Sequence, residues 1–269
     1  MDRHRSRIDE IRAVRQGAAD HLERLALSGV RLVAARPTGT PDASGPAPDL
    51  ASKPLSKPSS ELAGFGREES LDLFAQSAES SGPLTLEQIR TEIGDCKRCK
   101  LHEKRTHIVF GEGNPDAEIL FIGEGPGEEE DRQARPFVGR SGKLLTKIIE
   151  GGMKLRRDEV FIANIVKCRP PSNREPEKNE IATCKPFLLK QIRAIKPKVI
   201  VTLGRPSTSS LLGRNIQITR IRGQWHDFYG IPLMPTYHPA FLLRQYTEKN
   251  RREVWEDMKS VLEKIREPA

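Results

Sequence analysis

The chain has 269 residues, with 45 Lys and Arg against 37 Asp and Glu, a formal charge of +8 and an isoelectric point near 9.4. That excess favours an anionic partner, nucleic acid before any other. No apolar run approaches the ~20 residues that span a bilayer, and the charged start Met1-Asp2-Arg3-His4-Arg5 lacks the apolar core of a secretory signal. The expected compartment is the cytoplasm, with no membrane partner. Four cysteines there point to metal ligation or catalysis before disulfides.

Residues 1–30 read as an amphipathic helix, because Ile8, Ile11, Val14, Ala18, Leu22 and Leu25 recur at helical spacing. Such a helix would dock on the body of the protein, self-associate or bind a protein partner. Residues 31–82 are a linker; between Pro37 and Pro58 it carries six prolines among Ala, Ser and Gly, the composition of a disordered tether. Order is expected to resume at Pro83, so that residues 83–269 form one domain. Thr85 caps a helix that should end near Gly94. Apolar, β-branched runs predict strands at 118–123, 159–166, 197–203 and 231–236. Helices are expected between them at 140–153, 177–195 and 205–213, and a last one over 248–266. Strands alternating with helices imply a mainly parallel sheet covered on both faces, an α/β three-layer sandwich.

The first strand leads into Gly123-Glu124-Gly125-Pro126-Gly127-Glu128-Glu129-Glu130-Asp131, followed by Arg135-Pro136-Phe137-Val138-Gly139. Ligands of open α/β sheets sit at the carboxyl ends of strands, and glycines there let backbone approach a ligand closely. Four consecutive acids make a poor phosphate cradle. The loop is better read as a pocket floor with carboxylates placed for chemistry and an aromatic able to stack on a base.

Cys96 and Cys99 form a C-x2-C pair, while Cys168 and Cys184 stand apart. A zinc ribbon would show two such pairs, and a redox pair would leave two cysteines unexplained. Four thiolates gathered from distant segments suit a [4Fe–4S] cluster. The competing reading is four unrelated buried thiols.

These motifs together resemble the family 4, iron–sulfur, uracil-DNA glycosylases. The matching stretches are Gly123–Gly127 with Glu130 and Asp131, Arg135–Gly139, Asn164-Ile165-Val166-Lys167-Cys168-Arg169-Pro170-Pro171, Asn173-Arg174 and His238-Pro239-Ala240-Phe241-Leu242-Leu243-Arg244. The resemblance covers about 84–266, and departs where Ala134 and Ser141 replace a glycine and an alanine found in many members. It implies the cluster on Cys96, Cys99, Cys168 and Cys184, and hydrolytic release of uracil from single- or double-stranded DNA. The product is an abasic site that starts base-excision repair, made by a monomeric catalytic domain acting at the nucleoid.

On that resemblance the nucleotide is flipped into the pocket. Phe137 stacks on the base, Gly125 offers its N–H, and Asn164 reads the uracil edge. His238 donates to uracil O2 as the base departs. Glu124 is expected to line the pocket and Glu130 to hold the attacking water. Leu242, Leu243 and Arg244 form a wedge that fills the gap left by the flipped base. Arg140 and Arg174, with Arg132, Arg135, Lys143 and Arg169, meet phosphates. Two rivals remain at this point: a non-catalytic iron–sulfur nucleic-acid-binding module tied to a DNA polymerase, and a nucleotide-binding oxidoreductase. The second lacks the ribose-binding acid that its glycine loop requires.

Overall fold

The computed structural model describes residues 84–267; the helix expected over 1–30 and the linker over 31–82 lie outside them. A six-stranded sheet runs in the order β1-β3-β2-β4-β6-β5. Its strands are β1 (Glu112–Gly113), β2 (Ile119–Gly123), β3 (Phe161–Asn164), β4 (Val199–Leu203), β5 (His226–Phe228) and β6 (Ile231–Thr236). The four inner strands pair in parallel, and only the edges β1 and β5 are antiparallel.

Alternation along the strands divides the core in two, since successive side chains point to opposite faces. Leu120, Ile122, Phe161, Ala163, Ile200 and Leu233 face one layer. Helices α1 (Leu86–Ile93) and α4 (Lys178–Ile195) cover it through Ile89, Ile93, Leu188 and Ile192. Ile119, Phe121, Ile162, Val199, Val201 and Met234 face the other layer. There they meet α3 (Arg140–Thr146), a wider helical turn over Lys147–Met153, and α8 (Glu248–Arg266), through Leu145, Ile149, Val254, Met258 and Val261. Both faces are covered, which is why the inner strands read as continuous apolar runs.

Thr85 caps α1 as expected: its hydroxyl accepts from Gln88 N–H and the Gln88 side chain returns the bond to Thr85 N–H. The helix expected over 140–153 changes to the wider turn after Thr146. Short helices α2 (Glu128–Gln133), α5 (Arg205–Leu212), α6 (Ile218–Ile221) and α7 (Pro239–Arg244) complete the described residues. The chain leaves β2 toward β3 on one side and later returns to β4 on the other, so β2 lies at the reversal of strand order. A crevice opens there, at the carboxyl ends of the strands.

Candidate active site

A cavity of about 570 Å³ fills that crevice, within the usual range for small-ligand pockets. Glu124 and Gly125 enter it from the end of β2, Asn164 from the end of β3, Arg205 from the start of α5, and Tyr237 and His238 from the end of β6. Glu130 and Phe137 come from the long loop and helix after β2.

Asn164 is 2 % exposed, and its Oδ1 is buried with no hydrogen-bond partner. An acceptor in that state costs about 1–3 kcal/mol until a donor reaches it. The side chain sits against Gly123, where an added Cβ would come within 2.4 Å of Asn164 Oδ1 and 2.5 Å of Phe137 Cζ. Glycine at 123 therefore keeps the pocket floor open.

His238 caps α7: Ala240 N–H donates to His238 Nδ1 at 3.0 Å. Nδ1 is thus the acceptor, which assigns the ring proton to Nε2. Burial, with the nearby Arg244 charge, lowers the imidazole pKa to about 4. The ring is neutral at physiological pH and remains a donor through Nε2. Its centroid lies 5.7 Å from that of Phe137.

Phe137 itself is buried and holds a left-handed backbone, φ +51°. Such a conformation strains a residue with a Cβ and needs outside support. Gly142 supplies one part, because a Cβ there would lie 1.9 Å from the Phe137 carbonyl. Glu130 supplies the other: its Oε1 accepts from Val138 N–H (2.9 Å) and Gly139 N–H (2.8 Å), and its Oε2 from Gly127 N–H (3.2 Å). Three of a carboxylate's roughly four lone-pair positions are taken. Glu130 faces the cavity, yet its acceptors are spent on fixing the Phe137 loop.

Glu124 is placed differently. It is half-buried, and burial, followed by the Glu175 charge, raises its pKa to about 7 against the opposing pull of Arg205. Glu175 and Arg205 pair at 2.5 Å beside it. The rest of the acidic run has other duties. Asp131 is buried and accepts from Thr106 and His107 N–H, Glu128 pairs with Arg169, and Glu129 with Arg132.

Residues 110–259 match the model of the uracil DNA glycosylase superfamily. A type-4 uracil-DNA glycosylase of Sulfurisphaera tokodaii is 51% identical over 187 residues, 66% of this chain and 84% of that protein. The Thermotoga maritima type-4 enzyme is 48% identical over 176 residues, 64% of this chain and 91% of its own length. The Saccharolobus solfataricus one is 47% identical over 188 residues, 67% and 86% of the two chains. The chain belongs to the type-4 uracil-DNA glycosylases.

Within this type-4 glycosylase the wedge is smaller than the sequence suggests. Leu242 is buried in the core, on a helix that packs against α3, so tertiary packing claims it. Leu243 is 37% exposed, and Arg244 lines the cavity. Among the expected phosphate ligands, Arg174 also lines the cavity, but Glu180 holds it through two bonds of 2.7 and 2.8 Å. Arg135 is held similarly by Glu112. Arg140 is exposed at the first turn of α3. Sequence reasoning missed Arg222 and Asp257, which bond one another. Asp257 accepts from Thr236 Oγ1 at 2.6 Å and so ties α8 to the strand end that carries His238. The only signal for Asp257 was a charge on the apolar face of an amphipathic helix, and Arg222 gave none.

The four cysteines are free thiols that edge one small cavity with Ile93, Ile108, Lys167, Thr183 and Phe187. Arg98 donates to Cys96 Sγ (3.2 Å), Arg105 to Cys168 Sγ (3.3 Å) and Lys167 N–H to Cys184 Sγ (3.3 Å). Burial raises the pKa of Cys168 to about 11 and that of Cys99 and Cys184 as well. Among the described residues no three His, Cys, Asp or Glu side chains converge on a point that would hold a single ion. Four sulfurs around a cavity, each of three with an N–H donor and no carboxylate or imidazole among the lining, fit the donor set that a thiolate-held cluster would require. Among the described residues no helix is long and apolar enough to cross a membrane.

Proposed function

We propose that the protein hydrolyses the N-glycosidic bond of deoxyuridine in DNA, releasing uracil and leaving an abasic site. The observation that carries this reading is that Asn164, whose buried Oδ1 has no hydrogen-bond partner, lines the same cavity as a neutral imidazole donor and an aromatic ring. Uracil supplies the missing donor through N3–H, and its O4 accepts from Asn164 Nδ2. Cytosine presents the opposite pattern and would leave both groups unpaired. Reaching the site requires flipping the nucleotide at a cost of a few kcal/mol. Stacking on Phe137, about 1–3 kcal/mol, offsets much of it.

As the C1′–N1 bond breaks, its electron pair moves to the base and negative charge collects on O2. His238 Nε2–H donates to that oxygen, stabilising a developing anion. Positive charge grows on the sugar, and water adds to C1′. Glu124 faces this step with a carboxylate that titrates near 7, suited both to countering the cation and to taking the water's proton. Glu130, engaged by three backbone amides, acts by positioning Phe137; the water-holding part passes to Glu124. Leu243 is the wedge residue, with Arg140 and Arg244 at phosphates. A DNA substrate supports the reading that the protein acts at the nucleoid.

Cys96, Cys99, Cys168 and Cys184 would hold a [4Fe–4S] cluster, which would supply a rigid cross-link between segments. Lys167 joins that site to the pocket, since its Nζ donates to the Asn164 carbonyl at 2.9 Å. A non-catalytic module is not favoured, because the three relatives described above, matched over most of their length, are named glycosylases. The test is incubation of the purified protein with a uracil-containing oligonucleotide, followed by alkali. Strand scission at the uracil position is expected, and intact strands would refute the reading.

A further inference from the structure

We propose that Tyr246, covered by Arg251, is a second base-stacking surface that holds an unflipped DNA base beside the site where uracil leaves the helix. The inference rests on the DNA substrate of the proposed function. Tyr246 is 60% exposed, well above the 37–38% of Trp225, Leu243 and Trp255, the other exposed large apolar side chains among the described residues. Its ring therefore contributes little to the core. Exposed single aromatics are common, but this one is held in place. Gln245 N–H donates to the Phe241 carbonyl at 2.9 Å, closing α7. The Gln245 carbonyl accepts from Thr247 N–H (2.9 Å) and from Asn250 Nδ2 (2.9 Å), whose side chain belongs to a buried residue. Thr247 then caps α8 by accepting from Asn250 N–H. Both ends of the turn are fixed while the ring projects outward.

The Arg251 guanidinium lies 4.8 Å from the ring centroid, an arrangement that orders the aromatic before any ligand arrives. Location completes the argument. Three residues upstream stands the exposed Leu243, and two upstream Arg244 lines the pocket. Lys249 and Arg251 add positive charge on the first turns of α8, where Glu248 pairs with Arg252. An aromatic plane beside a cation accepts a nucleobase of any sequence.

The experiment uses the full chain and an oligonucleotide whose uracil nucleotide resists hydrolysis, with 2-aminopurine next to it. Tyr246→Ala should weaken binding about tenfold, the worth of one stacked base, with the loss appearing in KM and not in kcat on cleavable DNA. Tyr246→Phe should bind like the parent, because stacking needs no hydroxyl. The probe's fluorescence should be quenched by the parent and by Tyr246→Phe, and less so by Tyr246→Ala. Unchanged binding by Tyr246→Ala, or a Phe variant as weak as the Ala one, overturns the proposal. Failure of the parent to excise uracil would instead strike the functional reading on which it rests.

Discussion

At the scale of the residue, two ionisable side chains in one pocket are moved in opposite directions by the same cause. Burial disfavours charge, so it lifts the Glu124 carboxyl to about 7 and lowers the His238 imidazole to about 4. Between those values the histidine is a neutral donor while the glutamate gains its charge as pH rises. In the proposed mechanism the carboxylate is the active form, so kcat/KM should fall as pH drops through about 7. Glu175 raises the Glu124 pKa, and Arg205, its ion-pair partner, lowers it. Glu175→Gln removes a repelling charge and frees Arg205, and both effects favour the Glu124 carboxylate. The acid limb of the pH–rate profile should then move to lower pH. A limb that stays in place would show that another group sets it.

At the scale of the element, the loop between β2 and α3 is built from conformations that the sequence states only in part. The glycines and the Arg135–Gly139 motif announced a pocket floor. The Glu130 clamp was invisible, because its partners are backbone amides up to nine residues away. Edge strands β1 and β5 were missed for a related reason: two and three residues carry no alternation to read. Only tertiary packing, with α7 against α3, could separate buried Leu242 from exposed Leu243. One departure from the family pattern now has a structural consequence. Ala134 ends α2 in a left-handed conformation, φ +57°, which costs an L-residue about 1–2 kcal/mol. Glycine avoids that strain and loses roughly 0.5–1 kcal/mol in chain entropy. Ala134→Gly should therefore stabilise the protein by about 0.5–1 kcal/mol, seen as a higher Tm in thermal unfolding. A lower Tm would mean that the turn depends on the alanine methyl.

At the scale of the whole molecule, four parallel strand ends deliver Glu124, Asn164, Gly204 and His238 to one crevice, while the cysteines collect on the α1–α4 side. The strands were legible as apolar runs, and their convergence followed from the parallel topology. A cluster bound by the four sulfurs would lock the segment after Asn164 to α1 and α4. The purified protein should show the broad visible absorbance of an iron–sulfur centre, lost on Cys168→Ser; a colourless protein containing zinc would contradict it. The measurement that bears most directly on the account is release of free uracil under single-turnover conditions by the parent and by Asn164→Ala. The account predicts stoichiometric release by the parent and a fall of roughly 10³-fold in the variant, which no longer pairs with the uracil edge. Release by Asn164→Ala at near the parental rate would contradict it.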